Sequence, residues 1–180
     1  MTYSKVPVEW TETSAPVDDV LDSGLAWATY HDTPEPRDLV AAVLSSSPGP
    51  EDCHAVEMLG ADEAARRCLA LEPGFSYLPE RWHVLTVDGD AAGFVLPVIY
   101  DGCSRNGVDE ATIFHMGVAP AYRGSGFGRL LLRRATRTLV RHGVWRIYCD
   151  TPASNGPMIR CFEREGWVRL AAYERPIALR

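Results

Sequence analysis

The pattern of hydrophobic and polar positions divides the chain into two parts of unequal clarity. In the second part, His83 to Val87 and Ala91 to Tyr100 are apolar, β-branched runs, and Asp88-Gly89-Asp90 between them signals a hairpin. A polar turn from Asp101-Gly102 to Asn106-Gly107 leads into a third run, Ala111 to Val118, which Pro120 ends. From Gly126 the period becomes helical, with Gly128, Leu131, Leu132, Ala135 and Leu139 on one face. Gly143 stands where a left-handed residue closes a helix. Val144 to Asp150 predicts another strand. A short helix then starts near Pro157, carries Met158, Cys161 and Phe162, and stops at Gly166. Trp167 to Leu170 and Ile177 to Leu179 are expected as terminal strands. The order β-β-β-α-β-α-β implies a mixed sheet with helices packed on it.

Before Trp82 the pattern is weaker. Pro36 to Leu44 predicts a helix with Leu39, Val40 and Val43 on one side, ended by the serine, proline and glycine run to Pro50. Ala61 to Leu71 predicts a second, with Asp62 and Glu63 in the first turn where the helix dipole favours acids. Val6 to Trp10 and His54 to Met58 both fit a first strand, and pattern alone does not separate them. Trp10, Trp27 and Trp82, with Phe75 and Tyr77, fit either a core or the wall of a ligand pocket.

Composition narrows the classes. With 46% hydrophobic and 23% charged residues the 180-residue chain has the balance of a soluble globular domain, expected to be one domain over 1–180. A net charge of −6 argues against a non-specific grip on nucleic acid or anionic membrane. The N-terminus has no charged head followed by an apolar run, and the apolar stretches are far too short to span a membrane. Five cysteines without CxxC pairing argue against a disulfide framework or a zinc site, so a cytoplasmic setting and no metal are expected.

The segment Val118-Ala119-Pro120-Ala121-Tyr122-Arg123-Gly124-Ser125-Gly126-Phe127-Gly128 carries the most chemistry. A strand ends at proline, a glycine-rich loop follows, and a helix begins at once. Such a junction aims free backbone N–H groups and the positive end of a helix dipole at one spot, as a phosphate requires. Arg123 adds a charge beside it. Arg129 and Leu130 follow Gly128 where a Walker loop needs Gly-Lys-Ser/Thr, and the G-x-G-x-G spacing departs from the dinucleotide G-x-G-x-x-G.

Arg123-Gly124-Ser125-Gly126-Phe127-Gly128 resembles the R/Q-x-x-G-x-G/A loop of the GNAT superfamily of N-acetyltransferases, and Asn155, Phe162 and Gly166-Trp167 are similar to that family's second motif. The resemblance covers roughly His83 to Trp167, and it implies that 1–82 form the acceptor side and 83–180 the sheet and helices around the cofactor. It implies an α/β (α+β) fold with a mixed, mostly antiparallel central sheet flanked by helices, and a V-shaped splay between the two strands that bracket the cofactor. It implies acetyl-CoA as co-substrate, with Met116, Gly117 and Val118 pairing with its pantetheine arm and a backbone N–H near Met116 serving the oxyanion. The N–H groups of Arg123, Gly124, Ser125, Gly126, Phe127 and Gly128 would cradle the pyrophosphate. Arg129 would reach a phosphate, and Asn155 and Phe162 would line the far side. The implied activity is acetyl transfer to a primary amine of a small molecule, peptide or protein by direct attack in a ternary complex. The implied partner is that amine acceptor, with a homodimer permitted.

The reacting groups are less marked. Strand alternation puts Glu110, Thr112, Phe114 and Met116 on one face and Ile113 with His115 on the other, and the resemblance favours the first face for the base. Glu110 is therefore the first candidate and His115 the second. The family's usual acid is a tyrosine where this chain has Phe162; Tyr148, Cys149 and Cys161 are nearby substitutes, and a non-catalytic acetyl-CoA sensor is the rival reading. Arg133, Arg134, Arg137 and Arg141 are expected to face solvent.

Overall fold

The computed structural model describes residues 1–11, 25–33, 36–70, 73–77 and 79–178. One sheet of nine strands runs through it: β1 (Thr2–Thr11), β2 (Leu25–Thr29), β3 (Phe75–Tyr77), β4 (His83–Val87), β5 (Asp90–Tyr100), β6 (Glu110–Val118), β7 (Arg146–Pro152), β8 (Val168–Arg169) and β9 (Tyr173–Pro176). Among the described residues five α-helices accompany them: α1 (Pro36–Ser45), α2 (Pro50–Leu59), α3 (Ala61–Leu69), α4 (Phe127–His142) and α5 (Gly156–Arg164). The spatial order is β2-β4-β5-β6-β7-β1-β8, with β3 continuing β4 along the edge of β5 and β9 beside β8 along β1. All pairings are antiparallel except β6 with β7.

The ambiguity over the first strand resolves on β1. Val6, Val8 and Trp10 are buried on one face, the period of a half-buried strand. His54 to Met58 lies inside α2, which Pro50 opens at the position where proline suits a helix. Pro7 is tolerated in β1 because Val6 and Pro7 fall between the stretches paired with β9 and β8, where no ladder bond is lost. The short strands β2 and β3 lie outside the sequence expectation. The terminal strand sits at Tyr173–Pro176 rather than at Ile177 to Leu179; Leu179 lies outside the described residues.

Two apolar layers hold the sheet. Leu131, Leu132, Ala135 and Leu139 of α4, with Ile159 and Phe162 of α5, pack on one face against Val8, Val95 and Ile147. Leu39, Val40, Val43 and Leu44 of α1 and Ala64 and Ala65 of α3 pack on the other, against Val84, Phe94 and Leu96. α4 closes at Gly143, whose left-handed φ of 88° lets its N–H reach the carbonyls of Leu139 and Val140. No helix among the described residues is long and apolar enough to cross a membrane.

The pairing of β5 with β6 is broken by a bulge. Leu96 is opposite His115 but Pro97 is opposite Ile113, so Phe114 is an extra residue. Pro97, lacking an N–H, sits where the ladder is interrupted on this edge and where β4 has ended and β3 has not begun on the other. The bulge overturns the expected alternation. Ile113 and Met116 pack with the α4 layer, whereas Phe114 and His115 both turn to the α1 side. There Phe114 meets Phe75 at 5.3 Å and His115 stacks on Phe94 at 5.7 Å.

Candidate functional site

β6 and β7 are in register only at Glu110↔Arg146 and Ala111↔Ile147. Beyond that point they separate, and β6 presents an open edge from Thr112 to Val118. At the apex Cys149 of β7 replaces strand pairing: its Sγ accepts the Ile113 N–H at 3.3 Å and the Thr112 hydroxyl at 3.6 Å. Burial pushes that thiol up to about 12, so it stays protonated at neutral pH. A cavity of about 500 Å³ opens through the splay. Asn155, Met158 and Phe162 line it on the α5 side, and Phe114, His115 and residues of α2 such as Asp52 line it on the other.

The loop before α4 fits an anionic ligand. Gly124 and Gly126 have φ of +85° and +81°, and a Cβ built on either would meet nothing within 4 Å, so the space above the backbone is open. Gly126 is the N-cap of α4 and offers no side-chain cap, and the first turn carries no acidic residue. The helix's leading N–H groups therefore have no side-chain acceptor from its cap, the condition in which a phosphate is bound well. Gly128 differs: its φ is ordinary, and a Cβ there would reach only Val118 Cγ2 at 4.0 Å.

The two arginines expected on the phosphates are engaged with protein. Arg123 donates from Nε to the Val118 carbonyl at 3.2 Å, and from Nη1 and Nη2 to the carbonyl and hydroxyl of Ser46 at 2.9 and 2.7 Å. It clasps the loop to the end of α1. Arg129 and Arg133 both bind the carboxylate of Glu165, which is only 5% exposed and ties α4 to the end of α5. Arg134 lies over the Trp27 ring at 5.3 Å, so it and Arg133 are not the solvent-facing charges expected from their spacing. Replacing Arg123 by alanine is expected to weaken coenzyme A and a phosphate-free pantetheine by the same factor, measured by calorimetry. A loss confined to coenzyme A would place the guanidinium on a phosphate.

The structure brings together Met116, Asn155, Phe162 and His115 around the cavity and leaves Glu110 and Tyr148 off its lining. Glu110 sits at the closed end of the splay, where Arg146 Nη1 is 3.4 Å from its carboxylate and the same arginine binds Glu9. Tyr148 lies under the Arg146 guanidinium at 4.7 Å, with desolvation raising its phenol. Cys161, half-buried, is pushed by burial up to about 11. Phe162 is buried against Trp167 at 4.9 Å. Asn155 caps α5, its side chain accepting the Met158 N–H at 3.3 Å. Gly117 lets α1 approach β6, since a Cβ there would lie 2.2 Å from Val43 Cγ1.

Sequence reasoning missed the wall formed by β1, β7 and α2. The Lys5 ammonium is 2.6 Å from Asp150 and 3.2 Å from Glu51. Tyr173 donates to the other Asp150 oxygen at 2.6 Å, and Arg175 is 3.3 Å from Glu51. These charges come from four separate elements, so no local spacing announces them. The one signal was Lys5 itself, a charge inside an apolar, alternating run.

An open, mostly antiparallel sheet with a splayed parallel pair, followed by an uncapped glycine turn into a helix, defines a class of acyl-CoA-dependent transferases. The acetyltransferase (GNAT) family model matches residues 63–167, and the chain belongs to that family. It is 32% identical over 83 residues to the ribosomal protein bS18-alanine N-acetyltransferase of Escherichia coli strain K12, over 46% of this chain and 51% of that protein. It is 34% identical over 80 residues to the streptothricin acetyltransferase of Streptomyces lavendulae, over 44% of this chain and 40% of that one. The chain thus spans about half the length of the curated relatives it matches. A GNAT acetyltransferase structure from Novosphingobium aromaticivorans superposes with a TM-score of 0.58 at 21% identity, covering 97% of this chain and 63% of that one. The Escherichia coli S18-alanine enzyme gives 0.54 at 18%, covering 87% and 94%. At these identities the structures share the fold.

Proposed function

We propose that the chain transfers an acetyl group from acetyl-CoA to a primary amine of a small molecule, peptide or protein, by direct attack in a ternary complex. The observation that carries this reading is the cavity through the β6–β7 splay, which joins the two faces of the sheet. A donor held on the α4–α5 face and an acceptor entering from the α1–α3 face then meet at the open edge of β6. The Gly124 to Gly128 backbone would hold the pyrophosphate, and the edge from Met116 to Val118 the pantetheine arm, as an added strand is held.

An attacking amine must be neutral, so a group beside it has to take a proton. Of the three proposed catalytic side chains, His115 alone lines the cavity, and Glu110 is committed to Arg146 at the far end. His115 is therefore the proposed base. Asp150 is held by Lys5 and Tyr173. Phe162 fills the volume by the leaving sulfur without a proton to give, which leaves the thiolate to solvent.

Thiol release with a panel of amines tests the reading. Turnover is expected, with His115→Gln lowering kcat by about 10²-fold, the worth of a well-placed base, at unchanged acetyl-CoA affinity. Binding of acetyl-CoA with no release for any amine would favour the sensor, a reading Phe162 also accommodates.

A further inference from the structure

The helix α2 differs from its neighbours in how it is held. None of its residues is fully buried, whereas α1 and α3 each supply buried side chains to the core. Its apolar packing is limited to half-buried Ala55 and Val56 against the α1–α3 layer. Glycines bound it on both sides: Gly49 precedes its first residue, and Gly60, at a φ of +80°, follows its last with nothing within 4 Å of a Cβ. Yet Glu51, Asp52, Ala55 and Leu59 of this helix form one wall of the cavity on the α1–α3 face.

What ties that wall to the sheet is charge. The Glu51 carboxylate lies 3.2 Å from Lys5 Nζ of β1 and 3.3 Å from Arg175 Nε of β9, two strands that pair with each other. Glu51 is 16% exposed and Lys5 3%, so the pair is shielded from solvent and from salt. Lys5 is the only lysine among the 18 basic residues of the chain. A compact ammonium with three rotatable donors can serve Glu51 and Asp150 at once, where a planar guanidinium imposes a fixed fork.

We propose that Glu51 is a positioning residue for the acceptor: with Lys5 and Arg175 it latches α2, hinged at Gly49 and Gly60, as the movable wall of the amine site. The inference rests on the acetyltransferase reading for what the wall encloses, and on the chain alone for its motion. A helix with few buried contacts and an ionic tether opens at low free energy, below that of global unfolding. Closed, it completes the acceptor side of the cavity; open, it admits and releases the amine. The proposed pyrophosphate loop is clasped by Arg123 to Ser46, ahead of the hinge at Gly49, so it keeps its place when α2 moves.

Hydrogen–deuterium exchange on the ligand-free protein reads the latch directly. In Glu51→Gln, amides of residues 51–59 are expected to exchange at least about tenfold faster than in the wild type, while those of α4 stay unchanged. Lys5→Met should do the same, and Lys5→Arg should restore the charge without restoring the protection. Where an amine substrate has been found, Glu51→Gln should raise its KM about tenfold with kcat and acetyl-CoA affinity little changed. Unchanged exchange across α2 in Glu51→Gln would overturn the latch, whatever the enzyme's activity. Faster exchange with no turnover for any amine would keep the latch and sink the acetyltransferase reading. A general rise in exchange that includes α4 would show a loss of stability and overturn the proposal.

Discussion

Replacing Gly126 by glutamate is expected to lower acetyl-CoA affinity by at least about a hundredfold and leave the protein folded. Two effects act on the ligand. The residue holds a left-handed φ of 81° at the start of α4, and a side chain there projects into the open space above the loop. Its carboxylate would also compete with phosphate for the same leading N–H groups of the helix. Two lost or repelled contacts of about 1.4 kcal/mol each make a hundredfold. The fold is spared because the costs nearly offset. The left-handed conformation costs an L-residue roughly 1–2 kcal/mol, while an acid at a helix N-terminus returns about 0.3–1. Calorimetry with acetyl-CoA measures the first effect and thermal melting the second. Gly126→Ala separates the strain from the charge, and an alanine variant as weak as the glutamate one would assign the loss to backbone distortion. Gly128 is expected to be more tolerant than its place in the motif suggests, because its φ is ordinary and a methyl there meets one side chain at van der Waals distance.

The parts of this architecture that sequence revealed are those written in local pattern. The hairpin of β4 and β5 shows in Asp88-Gly89-Asp90, where Asp88 and Gly89 both take positive φ. The helix between Gly126 and Gly143 shows in its apolar period and its two left-handed caps. The first helices are half-legible: α1 and α3 bury apolar side chains, whereas α2 fully buries none and so shows no clear stripe. The reacting side was harder, for a physical reason. Strand alternation assigns faces only where pairing is regular, and the bulge at Phe114 exchanges the faces of every residue after it. Pro97 inside an apolar run was the available warning, since a proline in a central strand needs a break in the ladder. Charge beside a glycine loop suggests phosphate ligands at Arg123 and Arg129. Their actual partners, Ser46 and Glu165, lie 77 and 36 residues away in the chain. Partners distant in the chain leave no local pattern, and of the Lys5–Glu51–Asp150 cluster only Lys5, a charge in an apolar run, shows in the sequence.

Adding a single methyl at Gly117 is expected to destabilise the protein by about 2 kcal/mol, within the range for overpacking a tight core. A Cβ on this residue would stand 2.2 Å from Cγ1 of Val43 and 3.4 Å from its Cβ, far inside contact distance. Val43 is 4% exposed in the last turn of α1, so it cannot swing into solvent. Either α1 lifts from β6 or Val43 leaves its rotamer. For a chain of this size each kcal/mol lowers the melting temperature by about 2–4 °C, giving a drop of roughly 4–8 °C. The partner substitution makes the argument specific. Val43→Ala alone leaves a cavity and should cost on the order of 2 kcal/mol. In Gly117→Ala/Val43→Ala the new methyl takes the space of the lost ones, so the double variant should be more stable than the sum of the two losses by about 1–2 kcal/mol. Denaturant titration of the four proteins closes the cycle. Additive losses would mean that α1 and β6 relax independently at this point, and that Gly117 is not there to let the helix in. Because Phe114 and His115 turn to the same face three and two residues earlier, a lifted α1 also loosens the wall behind the proposed base. The single variant should therefore lose acceptor turnover and, because Gly117 lies on the β6 edge proposed to hold the pantetheine arm, some acetyl-CoA affinity with it.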